Sequence, residues 1–125
     1  MYLMAAYHDP SARNGKRWIF YFINASDDGL ESVFFEQVGC EWGDWGNAEE
    51  PGIDLGALGP GAFREIWKDG DDAAELRMWF YLRVTCGQET KRLLFEFPKL
   101  YQIRRFEPIP HVGKQGVLST AESVR

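Results

Sequence analysis

Cysteines, basic side chains and long apolar runs are all scarce in this chain of 125 residues. The two cysteines, Cys40 and Cys86, are too few for the disulfide framework of a small secreted domain. No stretch approaches the roughly 20 apolar residues that cross a bilayer. The first residues, Met1–His8, lack the basic end and the apolar length of a secretory signal. These absences predict a cytoplasmic protein with no membrane partner.

The shortage of positive charge argues against a nucleic-acid partner. The chain carries 14 basic and 19 acidic side chains, which gives a net charge of −5. Binding to a phosphate backbone needs a positive field that displaces counterions. The charge is also unevenly spread, because residues 41–75 hold ten acidic and two basic side chains. The middle of the sequence is therefore an acidic segment.

Aromatic residues are abundant, at 15% of the chain, and several stretches alternate in the manner of strands. In residues 74–85, Leu76 and every second residue to Val84 share one apolar face. Residues 16–25 are apolar on both faces and predict a central strand, with residues 30–41 as its hairpin partner. Together with the alternation in residues 62–68 and 90–97, this pattern predicts an all-β, antiparallel two-sheet sandwich of about seven strands.

Two segments break the alternating pattern. Residues 42–61 contain six glycines and two prolines, which predicts one long loop. Residues 107–125 begin with Glu107-Pro-Ile-Pro110 and hold few large apolar groups. They predict an irregular or mobile C-terminal tail after a single domain at 1–106.

Two short phrases carry a resemblance: Asn24-Ala-Ser-Asp-Asp28 at a strand end, and Leu58-Gly-Pro-Gly61 before a strand. The chain resembles immunoglobulin-like and fibronectin-type-III-like sandwiches, including small bacterial ones, over residues 16–97, although the antibody-type Cys–Trp–Cys core signature is absent. The likeness is to a fold and implies no activity. The implied strands B, C, E, F and G are residues 17–24, 32–40, 62–68, 75–85 and 91–97.

This topology makes strands C and F antiparallel neighbours. Cys40 ends strand C and Cys86 follows strand F, which places the two at opposite ends, about 25–30 Å apart. A disulfide needs Cα atoms within about 7 Å, so both cysteines are expected to be free thiols.

The same topology brings the 42–61 loop and the 69–75 turn to one end of the sandwich, where acidic side chains gather. Hard cations such as Ca²⁺ bind six to eight oxygens in loops of this kind. The candidate metal ligands are Glu41, Asp44, Asp69, Asp71 and Asp72. A solvated acidic surface is the alternative, since the order of the acids does not match an EF-hand.

The most distinctive heptad is Glu41-Trp-Gly-Asp-Trp-Gly-Asn47. Its candidate ligand-binding residues are Trp42, Asp44, Trp45 and Asn47. Indole faces stack on sugar rings and attract cations, so the heptad predicts a ligand platform. Two alternatives remain open: the indoles fold back to plug the core, or they form a patch for a protein partner.

A second candidate surface is the outer face of the last two long strands, which carries arginines among aromatic residues. Its members are Arg77, Trp79, Tyr81, Arg83 and Arg92. Such a face either covers an exposed sheet or forms a protein interface. Lys99, Arg104 and Arg105 are further expected to meet the acidic loops of a second copy.

Signals of catalysis are weak throughout the sequence. His8 and His111 have no metal ligand at the usual spacing. Cys40 lies beside Glu41, which would raise the thiol pKa rather than activate it. The glycine-rich segment lacks a phosphate-binding pattern. The sequence therefore predicts a non-enzymatic protein-interaction or accessory module, with a carbohydrate- or Ca²⁺-assisted ligand-binding module as the alternative and an enzyme third.

Overall fold

A computed structural model of the chain describes residues 1–103 and 106–124. Within them the protein is built of eleven strands and two short 3₁₀ helices, at Asp71–Glu75 and Leu100–Gln102. The strands are β1 Tyr2–His8, β2 Trp18–Asn24, β3 Leu30–Trp42, β4 Trp45–Glu49, β5 Ile53–Leu58, β6 Phe63–Asp69, β7 Arg77–Cys86, β8 Glu89–Phe97, β9 Glu107–Pro108, β10 Gln115–Thr120 and β11 Glu122–Val124. No helix in this part of the chain is long and apolar enough to cross a bilayer.

The strands form two antiparallel sheets packed as a sandwich, which confirms the predicted fold class. Sheet A has the order β6-β2-β1-β10-β9. Sheet B has the order β11-β8-β7-β3-β4, and β5 also pairs with β3. The expected pairing of strands C and F is confirmed as the long β3–β7 ladder. The number of strands was underestimated, with eleven described instead of about seven.

The main core lies between the sheets and is dominated by interlocking phenylalanines. Phe20 on β2 packs against Phe80 on β7 and Phe97 on β8, with ring centroids 4.9 and 5.3 Å apart. All three side chains are essentially inaccessible to solvent. Tilted and edge-to-face pairs of this kind add to the stability gained by burying apolar area. Phe80 reaches this core because every second side chain of β7, from Met78 to Val84, points inward and is buried.

A smaller core covers the outer side of sheet A and explains why β2 is apolar on both faces. Its buried members are Leu3, Ala5, Ile19, Tyr21, Ile23 and Ile109. Ile109 comes from the turn before β10, where its N–H donates to the Lys114 carbonyl at 2.7 Å. Between β1 and β6, β2 has a neighbour on each edge, which confirms its predicted central position.

The expected hairpin between residues 16–25 and 30–41 is wrong. β2 and β3 follow each other in sequence but belong to different sheets. Both edges of β2 are occupied, by β1 on one side and β6 on the other, so β3 has no place beside it. The turn at residues 25–29 instead carries the chain across the sandwich.

The long loop expected at residues 42–61 is also wrong, because the segment forms β4 and β5. Both pair with the 13-residue β3: β4 with its C-terminal part and β5 with its N-terminal part. Glu50, Pro51 and Gly52 separate them, and Gly52 has a positive φ of 59°. Glycine and proline are tolerated here because edge strands pair on one side only.

The prediction of an irregular tail at residues 107–125 fails as well. β10 pairs with β1 inside sheet A, and β11 pairs with β8 in sheet B. Ser119 on β10 is buried and donates its hydroxyl to the Glu96 carbonyl on β8 at 2.8 Å, which links the sheets. Gly116 lies so close to β1 that an added Cβ would be 2.3 Å from the Ala6 carbonyl oxygen. The small residues of this segment gave a poor strand signal in the sequence. Its close packing against β1 and β8 nevertheless requires small residues.

One buried polar side chain, Asn24 at the end of β2, ties several turns together. Its Nδ2 donates to the carbonyls of Asp28, Leu58 and Gly59 at 2.9, 3.1 and 3.2 Å. Its Oδ1 accepts from the N–H and the hydroxyl of Ser26 at 3.1 and 2.6 Å. The side-chain amide of Asn24 therefore links the two segments on which the resemblance rests, residues 24–28 and 58–61.

Replacing Asn24 by alanine should destabilise the protein by about 2–4 kcal/mol, because several buried polar groups lose their partner together. Asn24→Asp should also destabilise, since a carboxylate cannot donate to the three carbonyls. Urea unfolding measures both effects. The exposed Asn14 accepts one local bond from the Lys16 N–H, so Asn14→Ala is the matched control. Equal losses at positions 14 and 24 would contradict this account of Asn24.

Candidate functional site

The heptad singled out in the sequence forms the tip of the β3–β4 hairpin. Trp42 ends β3, Gly43 and Asp44 make a two-residue turn, and Trp45 begins β4. Gly43 has a φ of 59°, which glycine adopts without steric cost. Two-residue hairpins with glycine first favour a turn whose twist matches that of the strands. The local sequence therefore builds a short and well-defined tip.

Both indoles at this tip are exposed, so the interpretation that they plug the core is wrong. Trp42 is 61% and Trp45 is 54% accessible to solvent. Their Cα atoms are direct partners across the hairpin. Asn47 lies two residues further along β4, opposite Cys40. All four predicted ligand-binding residues thus belong to this one hairpin.

Behind the tip, a cleft of about 200 Å³ separates β3 and β4 from β6. It is lined by Val38, Gly39, Cys40, Asn47, Glu49, Trp67, Asp69, Leu76 and Met78. Burial raises the pKa of the Cys40 thiol, and the nearby carboxylates of Asp69 and Glu49 raise it further. The direction agrees with the sequence analysis, but the cause is burial and these two acids instead of Glu41. The thiol is not an activated nucleophile.

Cys86 lies at the far end of the same ladder from Cys40. β3 and β7 pair Cys40 with Met78 at one end and Ser32 with Thr85 at the other. Both cysteines are free, as predicted.

The acidic side chains proposed as metal ligands are distributed among separate contacts. Glu41 pairs with Arg77 at 2.8 Å, and Asp71 pairs with Arg17 at 3.0 Å. Asp69 accepts from the Trp67 indole N–H at 3.2 Å. Across residues 1–103 and 106–124, no three acidic, histidine or cysteine side chains are grouped so as to hold a metal ion. The structure therefore does not gather Glu41, Asp44, Asp69, Asp71 and Asp72 into a cation site.

The arginine and aromatic face predicted from the sequence is the outer side of sheet B, and its charges are paired there. Glu36 contacts both Arg92 at 2.9 Å and Arg83 at 3.6 Å. The Arg92 guanidinium lies 4.1 Å from the centre of the Tyr81 ring. Arg83 stacks in the same way on Phe34, at 4.8 Å. These contacts cover the exposed sheet and also leave a face of the composition found in protein interfaces.

Trp79 on this face lies flat over Gly39 of β3. A Cβ built at Gly39 would fall 2.0 Å from the indole ring. The missing side chain therefore makes room for the indole, which is half-buried.

Strand register places several further groups at the same end as the tryptophan tip. Glu41 is opposite Arg77 in sheet B, while His8 and Asp69 are both opposite Trp18 in sheet A. The expectation that the 42–61 loop and the 69–75 turn share one end of the sandwich holds only for the first half of that segment. The second half of that segment, β5, returns to the other end.

Sequence reasoning missed an open cavity of about 430 Å³ at this end. Its lining residues are His8, Arg17, Trp18, Asp71, Ala74, Leu100, Tyr101, Ile103 and Phe106. The Asp71 carboxylate lies 3.6 Å from His8 Nε2 and 3.0 Å from Arg17 Nη1. The available signal was the apolar run from Tyr2 to Tyr7, which favours a buried strand that ends at His8. Lys99 precedes the second 3₁₀ helix, while Arg104 and Arg105 lie outside the described residues.

Comparison of the chain with protein-family models, with curated proteins and with solved structures returned no match. The candidate function therefore depends on the geometry of the hairpin tip, the cleft and the cavity.

Cys40 should react slowly with a thiol reagent near pH 8, because its raised pKa lowers the fraction of thiolate. In a Cys86→Ser background, the alkylation rate should keep rising as the pH passes the ordinary cysteine pKa. Removing one contributing charge with Glu49→Gln should lower the Cys40 pKa and speed the reaction near pH 8. Asp54→Asn, at the other end of β3, is the matched control. An unchanged profile for Glu49→Gln would contradict the electrostatic contribution of Glu49.

Proposed function

We propose that the protein is a non-enzymatic interaction module that binds a protein partner through the tip of the β3–β4 hairpin. The observation that carries this proposal is the exposure of Trp42 and Trp45, at 61% and 54%, on a two-residue turn. Tryptophan is the residue type most enriched among energetically dominant interface positions. Two adjacent exposed indoles are costly to leave in water, which favours a role in binding.

The hairpin also supports binding by limiting the entropy lost on association. Trp42 and Trp45 extend from paired strand positions, and the turn between them has two residues. An indole has two rotatable side-chain bonds, so fixing it costs little compared with a long flexible side chain. The tip is thus preorganised, which improves affinity without additional contact area.

The surroundings of the tip resemble the polar rim of a protein interface. Glu41 and Arg77 form an exposed ion pair one residue from Trp42. Beyond them, the outer face of sheet B adds Tyr81 and Arg92 as a stacked pair. Rim charges of this kind contribute more to orientation and association rate than to affinity.

We further propose that the scaffold is immunoglobulin-like. Strands B and E of that arrangement correspond to the β2–β6 ladder, and strands C, F and G to β3, β7 and β8. The added β10 beside β1 and β11 beside β8 extend both sheets. In such sandwiches, loops and hairpins at one end are a common place for binding surfaces.

A photo-reactive benzoylphenylalanine at position 44, on the hairpin turn, should cross-link to the partner in the cells that produce the protein. Position 44 is exposed and lies between the two indoles, so cross-linking there leaves both anchors in place. The expected result is a discrete adduct, seen on a denaturing gel. Trp42→Ser or Trp45→Ser should each reduce the adduct by about tenfold or more, in line with the loss of a dominant interface residue.

The matched control places the same probe at the exposed position 27, in the turn after β2 at the other end of the sandwich. It should give no adduct of that mass. Equal labelling from positions 27 and 44, or an adduct that survives both tryptophan substitutions, would overturn the proposal.

A second candidate is small-ligand binding in the 430 Å³ cavity at the same end. The specific observation is the combination of the Tyr101 and Phe106 rings with the polar set of His8, Arg17 and Asp71. Aromatic faces with a few convergent polar groups are typical of carbohydrate sites.

Titration with a panel of neutral sugars, followed by calorimetry and tryptophan fluorescence, tests this candidate. Saturable binding is expected, with a loss of about tenfold in Asp71→Ala because a sugar hydroxyl would lose its charged hydrogen-bond partner. The neighbouring Asp72→Ala serves as the control, since Asp72 does not line the cavity. Absence of heat and of a fluorescence change with every sugar would remove the candidate.

A further inference from the structure

The free edges of the two sheets differ in how well they are protected against pairing with another strand. On sheet A, β6 carries Arg64, Glu65 and Lys68 and has a bulge in its pairing with β2, while β9 is a two-residue strand that ends in Pro108. On sheet B, the edge strand β11 has three residues. Charges, bulges, proline and shortness are the usual means of blocking edge-to-edge association.

The remaining edge, formed by β5 and β4 beside β3, is blocked over β5 and open over β4. The Arg64 guanidinium donates to the Leu55 carbonyl, and the Asp54 carboxylate accepts from the Gly56 N–H at 2.8 Å. These side chains occupy backbone groups that another strand would need. In the described part of the chain, no side chain hydrogen-bonds to the backbone of Gly46 or Ala48, and all five residues of β4 are exposed.

The backbone groups that point away from β3 can be assigned from the turn. A two-residue hairpin closes on a hydrogen-bonded pair, which here is Trp42 and Trp45. Bonded and non-bonded positions alternate along an antiparallel ladder. Asn47 and Glu49 therefore bond to β3, and Gly46 and Ala48 direct their N–H and C=O groups outward.

We propose that this open edge pairs with the same edge of a second copy of the chain, so that two β4 strands meet antiparallel about a two-fold axis at Asn47. This inference deepens the proposed function by naming one partner of the hairpin. In that register Gly46 faces Ala48 of the other copy, and the pairs exchange four backbone hydrogen bonds. Every outward group of β4 is then satisfied.

The side chains of β4 are also compatible with this self-pairing. Trp45 lies opposite Glu49 of the second copy, and Asn47 faces its own counterpart, where the two amides can bond. The two Glu49 carboxylates lie at opposite ends of the paired β4 strands, so they do not repel each other closely. A strand from a different protein would need side chains that fit opposite Trp45, Asn47 and Glu49. A second copy of the chain provides such side chains by symmetry.

Light scattering coupled to size-exclusion chromatography tests this proposal across the micromolar range. The wild type should approach twice the 14.4 kDa monomer mass as its concentration rises. Asn47→Lys and Asn47→Asp each place like charges opposite one another at the axis, so each should raise the dissociation constant by about tenfold or more. An equimolar mixture of the two variants should dimerise again, because the axis then holds opposite charges.

Gln88→Lys, which adds the same charge at an exposed position in the turn between β7 and β8, at the far end of the β3–β7 ladder from β4, is the matched control and should dimerise like the wild type. A wild type that stays monomeric at every concentration, or a dimer that both position-47 variants leave intact, would overturn β4 self-pairing. That failure is separate from failure of the proposed function. The cross-link from position 44 has the mass of two chains for self-pairing and a different mass for another partner.

Discussion

The buried amide of Asn24 is the interaction on which the arrangement of the strands depends. β2 ends at Asn24, β5 ends at Leu58 and β6 begins at Phe63, and the amide binds the turns between them. The main chain adds two bonds, from the Asn24 N–H to Ala62 and from the Gly61 N–H to Asn24. Because a buried carbonyl without a donor is costly, the turns have one favourable position relative to β2.

Fixing the turns at Asn24 determines which strands can be neighbours. β6 pairs with β2 in sheet A, while β5 pairs with β3 in sheet B. The chain therefore crosses between sheets twice near this residue, and the Phe20 and Phe80 rings pack against each other in the core. Hydrophobic burial supplies most of the stabilisation, but it does not specify direction. The amide supplies the specificity that burial alone lacks.

Sequence patterns located strands in which buried and exposed residues alternate. They failed to locate strands that form only because a neighbouring strand pairs with them. Alternation from Leu76 to Val84 was sufficient to place β7, because one face of that strand is buried. The segments 42–61 and 107–125 contain glycine and proline, which disfavour isolated strands but fit an edge beside β3 and a close contact beside Ala6. The tryptophan tip was recognised, but the sequence left open whether its indoles are exposed or plug the core, because the length of β3 beyond the core cannot be read locally.

The edges of the sandwich differ in how well their backbone groups are protected from pairing with another strand. Arg64 and Asp54 each make a contact that closes the β5 edge, and the short β9 and β11 limit the edges they form. Beside this protection, β4 is an exposed strand that begins at one of two exposed indoles. Unprotected edges and large exposed aromatics are each hazards for solubility, and their coincidence in one hairpin is what supports the proposed binding role. The proposed binding needs both features: an edge alone offers hydrogen bonds without selectivity, and indoles alone offer affinity without register.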